Sequence, residues 1–202
     1  MLDENQDLNA SFTIYKADNG TPGMIDNPTP NARIRFDNRS YNLNYDHKTL
    51  FKDFSLKLQS YFLDNETKFD EPDGLVPVHS DHDNYALGID AQQGGKLSKS
   101  MDISYGYSFR NDRISSTDVG DKHRDTHSAF TTLKFAQELT TLITGWDAAL
   151  ALRYDAPSDF DPEFSPRFSL KFNRAGKLNT SLQSHITRSY RAPTFNDLYW
   201  PR

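Results

Sequence analysis

Three clusters of side chains in this chain of 202 residues have the types and spacing to bind something. The stretch 64–83 holds seven acidic residues against one lysine, together with His79 and His82. Clustered carboxylates can hold Ca²⁺ through oxygen ligands. The spacing is not that of an EF-hand loop, and a solvated acidic loop has the same composition. His123 and His127 could contact haem or a metal; their spacing of four suits a helix, whereas the text around them is a loop running into a strand. Near the end, Arg191, Asn196, Asp197, Tyr199 and Trp200 combine a guanidinium with flat rings. Such a set can hold an anionic group and pack on a large planar ligand. Its alternative role is structural, with Pro193 and the aromatics fixing a strand exit. The candidate ligand-contacting residues are therefore Arg191, Asn196, Asp197, Tyr199, Trp200, His82, His123 and His127.

Catalysis has no comparable set. There is no Gly-x-Ser-x-Gly, no His-Glu-x-x-His and no phosphate-cradling glycine loop. The Ser, His and Asp residues are plentiful, but their spacing assembles no triad, so no enzyme is expected and no cofactor is implied. The chain has no cysteine, which removes disulfides and thiolate metal sites. A net charge of −5 argues against a general nucleic-acid partner, which needs a basic surface.

The elements that carry these clusters are strands. About nine segments alternate apolar and polar residues with period two, which puts one set on each face. The first, Leu8–Lys16, aligns Ala10, Phe12 and Ile14. The second, near Arg39–His47, aligns Tyr41, Leu43 and Tyr45. The third has Phe54, Leu56, Leu58 and Phe62 opposite Ser55, Lys57 and Gln59. The fourth has Tyr85, Leu87, Ile89 and Ala91 opposite Asn84, Gly88 and Asp90. The fifth has Met101, Ile103, Tyr105, Tyr107 and Phe109 opposite Asp102, Ser104, Gly106, Ser108 and Arg110. The sixth, around Ala129–Gln137, is weaker. The seventh, from about Leu142 to Tyr154, aligns Trp146, Ala148, Leu150 and Leu152. The eighth aligns Phe168, Leu170 and Phe172, and the ninth Leu178, Leu182 and Ile186.

Alternation alone does not choose between water and lipid as the outer solvent. A low mean hydropathy of −0.77 and the absence of an apolar run near 18 residues exclude a helical membrane protein. Neither excludes a transmembrane barrel, whose strands are apolar on one face only. Link lengths favour the barrel. Short links fall near 46–53, 92–97, 138–141 and 173–177, and long polar links near 17–38, 64–83, 111–126 and 155–163. Strict alternation of the two is expected of an outer-membrane barrel with short inner turns and long external loops. On that polarity the first and ninth strands run outward. Tyr105, Tyr107 and Phe109 should lie at the outer end of their strand, level with Tyr41, as an aromatic girdle. The polar face, including Lys57, Asp90, Arg110, Arg153, Arg167 and His185, should face the lumen.

The text Ser189–Pro201, SYRAPTFNDLYWP, resembles the barrel of TonB-dependent outer-membrane receptors. Further likenesses are TPGMIDNPTPNAR at 21–33, SYNLNYDHKTLFKDFSLKLQSYF from Ser40, and LALRYD followed by FSPRFSLKF. Together they cover most of the chain. The resemblance implies an all-β fold: an antiparallel transmembrane β-barrel wall, incomplete, with about nine strands of a 22-stranded barrel over residues 1–202. It implies a mid-barrel fragment whose plug domain and C-terminal strands are absent, consistent with an N-terminus, MLDENQDLNASF, that lacks signal-peptide regions. It implies the bacterial outer membrane, contact with outer-membrane lipid, and uptake of a scarce ligand such as a ferric siderophore, haem or cobalamin. The TonB energy-coupling complex would act through the plug, and the full-length receptor would be a monomer. The rival reading is a soluble or cell-surface all-β module that binds glycan or protein through long loops. A weaker one is an enzyme on a barrel.

Overall fold

In a computed structural model of the chain, the described residues are 3–24, 27–74, 76–138, 145–174 and 178–199. Nine long strands follow one another: β1 (Gln6–Gly20), β4 (Arg33–Phe51), β5 (Phe54–Glu71), β6 (Val78–Ser98), β7 (Met101–Ser116), β8 (Lys122–Glu138), β9 (Gly145–Pro157), β10 (Glu163–Arg174) and β11 (Thr180–Thr187). Two two-residue strands, β2 (Gly23–Met24) and β3 (Asn27–Pro28), pair in the link after β1. One short helix, α1 (Phe195–Tyr199), follows β11. The long strands form a single sheet in the order β1-β4-β5-β6-β7-β8-β9-β10-β11, so every neighbour in the sheet is also a neighbour in the chain. Every pair is antiparallel. This meander is the simplest product of nine alternating segments, because antiparallel neighbours need only tight links.

Register assigns the faces. Phe168 stands opposite Leu150 and Ile186, and Phe172 opposite Trp146 and Leu182. Lys171 stands opposite Gln183 and Asp147, one residue out of phase. Leu150, Leu152, Phe168, Leu170 and Leu182 therefore share one face, and Arg153, Arg167, Lys171 and Gln183 the other. Lys57, Asp90, Arg110 and His185 join the polar face by the same register.

The described residues form no packed interior. Among the described residues, the buried apolar ones are Ala32, Ala86, Ile114 and Val119, and no large side chain is fully buried. Phe12, Leu43, Leu58, Ile89, Leu150 and Phe168 are instead between 40% and 54% exposed. A water-soluble sandwich covers such residues with a second sheet. Here one sheet carries them bare, and the soluble-module reading loses the core it requires.

The apolar band has a constant height. On β5 the aromatic pair Phe54 and Phe62, on β9 Trp146 and Tyr154, and on β10 Phe164 and Phe172 are each eight residues apart on the same face. Eight residues rise roughly 27 Å along a strand, or about 20 Å after the usual tilt of a barrel strand. That fits an apolar belt flanked by two aromatic girdles.

Two expectations are corrected. The long polar links are much shorter than the sequence pattern indicates: β5 and β6 are joined by 72–77, β7 and β8 by 117–121, and β9 and β10 by 158–162. The missing residues continue the strands. Above the belt both faces meet water, so apolar alternation vanishes while the hydrogen-bonded ladder goes on. For the same reason Tyr105, Tyr107 and Phe109 lie mid-strand, because β7 continues to Ser116. At the other end the turns Lys52–Asp53 and Lys99–Ser100 are short. The start of β9 is Gly145, and the expected residues from Leu142 lie outside the described residues.

Candidate functional site

The strand extensions beyond the belt are held by cross-strand charge pairs. Arg33 and Arg35 contact Asp18 at 2.7 and 3.5 Å, and Arg35 also reaches Asp70 at 2.9 Å. Arg39 bridges Asp37 and Asp64 at 2.9 and 3.2 Å, and Lys16 meets Asp37 at 2.6 Å. The bond from Arg33 holds the Asp18 carboxyl below its ordinary range, and that from Lys16 does the same for Asp37. Each exposed pair contributes little by itself. As a lattice they register three strands beyond the apolar belt.

The acidic stretch 64–83 is part of this lattice rather than a free loop. Asp64 and Asp70 bind arginines, Glu66 pairs with Lys68, and Asp73 accepts bonds from the backbone and side-chain nitrogens of Asn31 at 2.8 Å. Among the described residues, no three His, Asp or Glu side chains converge as a metal set. His79 sits between Asp70, 2.6 Å from Nδ1, and Asp81, 3.1 Å from Nε2. The Asp70 bond, then the Asp81 bond, raise the imidazole above its ordinary value. A raised folded value favours the fold below the free value and loses that contribution as pH climbs through the raised one. An NMR titration of His79 is expected to give a midpoint above 6.5, and Asp70→Asn should lower it. A midpoint unmoved by that substitution would contradict the pairing.

The three candidate histidines do not gather. His82 is on the polar face, with Nδ1 2.8 Å from Ser116 Oγ and Nε2 3.3 Å from Asp118. His127 stands opposite Phe109 on the apolar face, with its ring 5.1 Å from that of Phe109 and bonded to the Tyr107 hydroxyl. A separate aromatic row on the same face joins Phe12, Tyr41, Phe62 and Tyr85, whose successive rings lie 4.6 to 6.5 Å apart. His123 stands opposite Arg113 on the same side, beside a shallow cavity of about 480 Å³.

The terminal set forms a compact structure over the polar face. Thr194 and Asp197 cap α1 reciprocally: Thr194 Oγ1 accepts from the Asp197 backbone at 3.1 Å, and Asp197 accepts from the Thr194 backbone at 2.8 Å. These bonds, with the backbone one foremost, depress the Asp197 carboxyl. Arg191 lies 3.4 Å from Asp197. Asn196 is exposed, and Tyr199 has the Lys122 ammonium 4.9 Å from its ring centroid. Trp200 lies outside the described residues.

The residue that anchors this structure carries no sequence signal. Arg124 on β8 donates from Nε and Nη2 to the two carboxylate oxygens of Asp159, at 2.6 and 2.8 Å, and from Nη1 to the Pro193 carbonyl at 2.9 Å. Its guanidinium lies 4.9 Å from the rings of both Phe160 and Phe195. Only 8% of Arg124 is exposed. Arg124 falls in text read as a link, and its partners are 35 and 69 residues away.

Nearer the middle of the polar face, two rings lie across glycines. A Cβ at Gly88 would come within 2.1 Å of the Tyr61 ring, and one at Gly106 within 2.4 Å of the Phe130 ring. Each ring row ends on an arginine held two residues along its own strand. Arg110 grips Asp112 at 2.6 Å, and Arg153 grips Asp155 at 2.8 Å. This wall is polar, ordered and half-exposed, as a lumen wall must be.

A nine-stranded meander with a bare apolar belt, two girdles and a charged polar face leaves few families. The family model described as TonB dependent receptor-like, beta-barrel matches residues 2–202. The chain belongs to that family. No curated protein matches it. Membership makes the sheet a wall of a TonB-dependent receptor barrel, and it implies a bacterial outer-membrane location and a role in receptor-mediated transport in general. The family is one of transporters rather than enzymes. In a TonB-dependent receptor the apolar belt faces lipid and the polar face lines the lumen.

Proposed function

We propose that this receptor barrel imports a scarce, bulky ligand such as a ferric siderophore, haem or cobalamin, with import energised through the TonB complex acting on a plug, and that the complete receptor is a monomer. The observation that carries the reading is the strict division of one continuous sheet into a bare apolar face and a charged polar face. A wall of that kind separates lipid from a wet passage wide enough for a large solute. The candidate contacts are those at the outer mouth, where Arg191, Asn196, Asp197 and Tyr199 stand with His82 on the polar side, while His123 and His127 stand on the other. Metal capture by the protein itself is no part of the proposal; a metal would arrive inside its chelator.

Uptake of a ferric siderophore, haem and cobalamin tests the proposal in cells with and without this receptor, and again after the TonB complex is removed. Loss of uptake of one of the three under both deletions is the expected result. Uptake of all three unchanged without the receptor, or uptake through it that survives removal of TonB, would contradict it.

A further inference from the structure

The segment 188–199 leaves β11 at the outer end and returns across the polar face to β8. Its connections to the sheet among the described residues are few. Arg188 donates from its backbone to Pro166 and from its side chain to Glu163, at 3.0 and 2.9 Å. Farther along come the Arg124 contacts to Pro193 and Phe195, and Lys122 over Tyr199. No residue of α1 is buried. On the sheet, by contrast, Arg124, Ser128 and Asp155 are at most 8% exposed. Tyr190 is pushed up by burial near Asp155. A segment with so little buried surface of its own opens locally at low cost, independently of the sheet.

We propose that 188–199 is a strap that docks on and releases from the polar face at the outer mouth, and that Arg124 is its latch. Arginine suits the position. Its planar fork binds both oxygens of Asp159 and still donates to Pro193, while its two faces take the rings of Phe160 and Phe195. Asp159 fixes the guanidinium to the sheet side, so the bond to Pro193 and the contact with Phe195 are what docking makes and release breaks. The capping box of Thr194 and Asp197 keeps α1 together as a unit while it moves. Docked, the strap lies over Arg124; released, it bares that part of the polar wall. This device is independent of which ligand the receptor carries.

Limited trypsin digestion of the complete receptor in outer-membrane vesicles tests it. Arg188 and Arg191 are exposed at 66% and 81% of their side chains, yet cleavage beside them requires the strap to lift. Cleavage of a briefly opened segment tracks the open population. Loss of bonds to a buried charge should raise that population about 10- to 100-fold. Arg124→Gln is expected to raise cleavage after both residues by that factor, and Asp159→Asn by a smaller one. Unchanged rates in both variants would overturn the proposal. Because the chain has no cysteine, a flexible bismaleimide can join Lys122→Cys to Tyr199→Cys in the Arg124→Gln background. Return of slow cleavage is the expected result. Cleavage that stays fast with the strap tied would mean that the sheet, rather than the strap, had been loosened, and would equally overturn it.

Discussion

Arginine in place of Leu150 should destabilise the sheet in a bilayer by roughly 2–4 kcal/mol, the cost of a cationic side chain on the lipid face at the midplane. Leu150 lies midway between Trp146 and Tyr154, the two girdle residues of β9. Its cross-strand neighbours are Leu133 and Phe168, both apolar. Leu150 is 40% exposed, so the new side chain meets no packed interior and the penalty arises from lipid. Depth is the control. Arginine at Tyr154, on the same face and strand, should cost only about 0–1 kcal/mol, because the side chain reaches the interface. Reversible denaturant unfolding of the complete receptor barrel in lipid vesicles measures both. Equal costs at the two depths, or no cost at Leu150, would count against lipid as the solvent of this face.

The sequence made the strands legible where one face met lipid and the other water. Leu56, Leu58, Phe168 and Leu170 alternate with polar neighbours, and the structure keeps all of them on one face. The pattern failed where both faces are wet. Lys16 with Asp37, Asp18 with Arg35, Arg33 with Asp70 and Arg39 with Asp64 stand opposite one another across β1, β4 and β5, yet no apolar stripe on that face marks the strands. Cross-strand charge complementarity was the available signal, and it needs the register to be known first. The terminal motif was visible as a set of residue types. Its capping box, Thr194 with Asp197, is a local pattern that the spacing alone contains. The latch was not visible, because Arg124, Asp159 and Pro193 meet only after four strands, β8 to β11, have been laid side by side. The histidines misled for a related reason. His82, His123 and His127 lie within 46 residues of one another in the chain, but strand parity sends His82 to one face and the other two to the opposite one.

The chain alone in water lacks what its apolar belt and its two sheet edges require. Phe12, Leu58, Phe62, Leu150 and Phe168 are bare, and no second layer covers them. Among the described residues, β1 and β11 each have one neighbour only. An edge strand offers a row of unpaired donors and acceptors to any other chain, and in lipid such an edge is severely penalised. The edges cannot satisfy each other in the usual way. β1 and β11 are the first and ninth strands of an antiparallel meander, so they run in the same direction and would have to pair parallel. Bare apolar surface and open edges both drive association. Size-exclusion chromatography with light scattering, run on the chain in detergent-free buffer and again in detergent micelles, tests the membrane-wall account most directly. Aggregated material without detergent, and β-rich particles of defined mass only after refolding in micelles, is the predicted result. A monodisperse monomer in plain buffer with a single cooperative unfolding transition would contradict it.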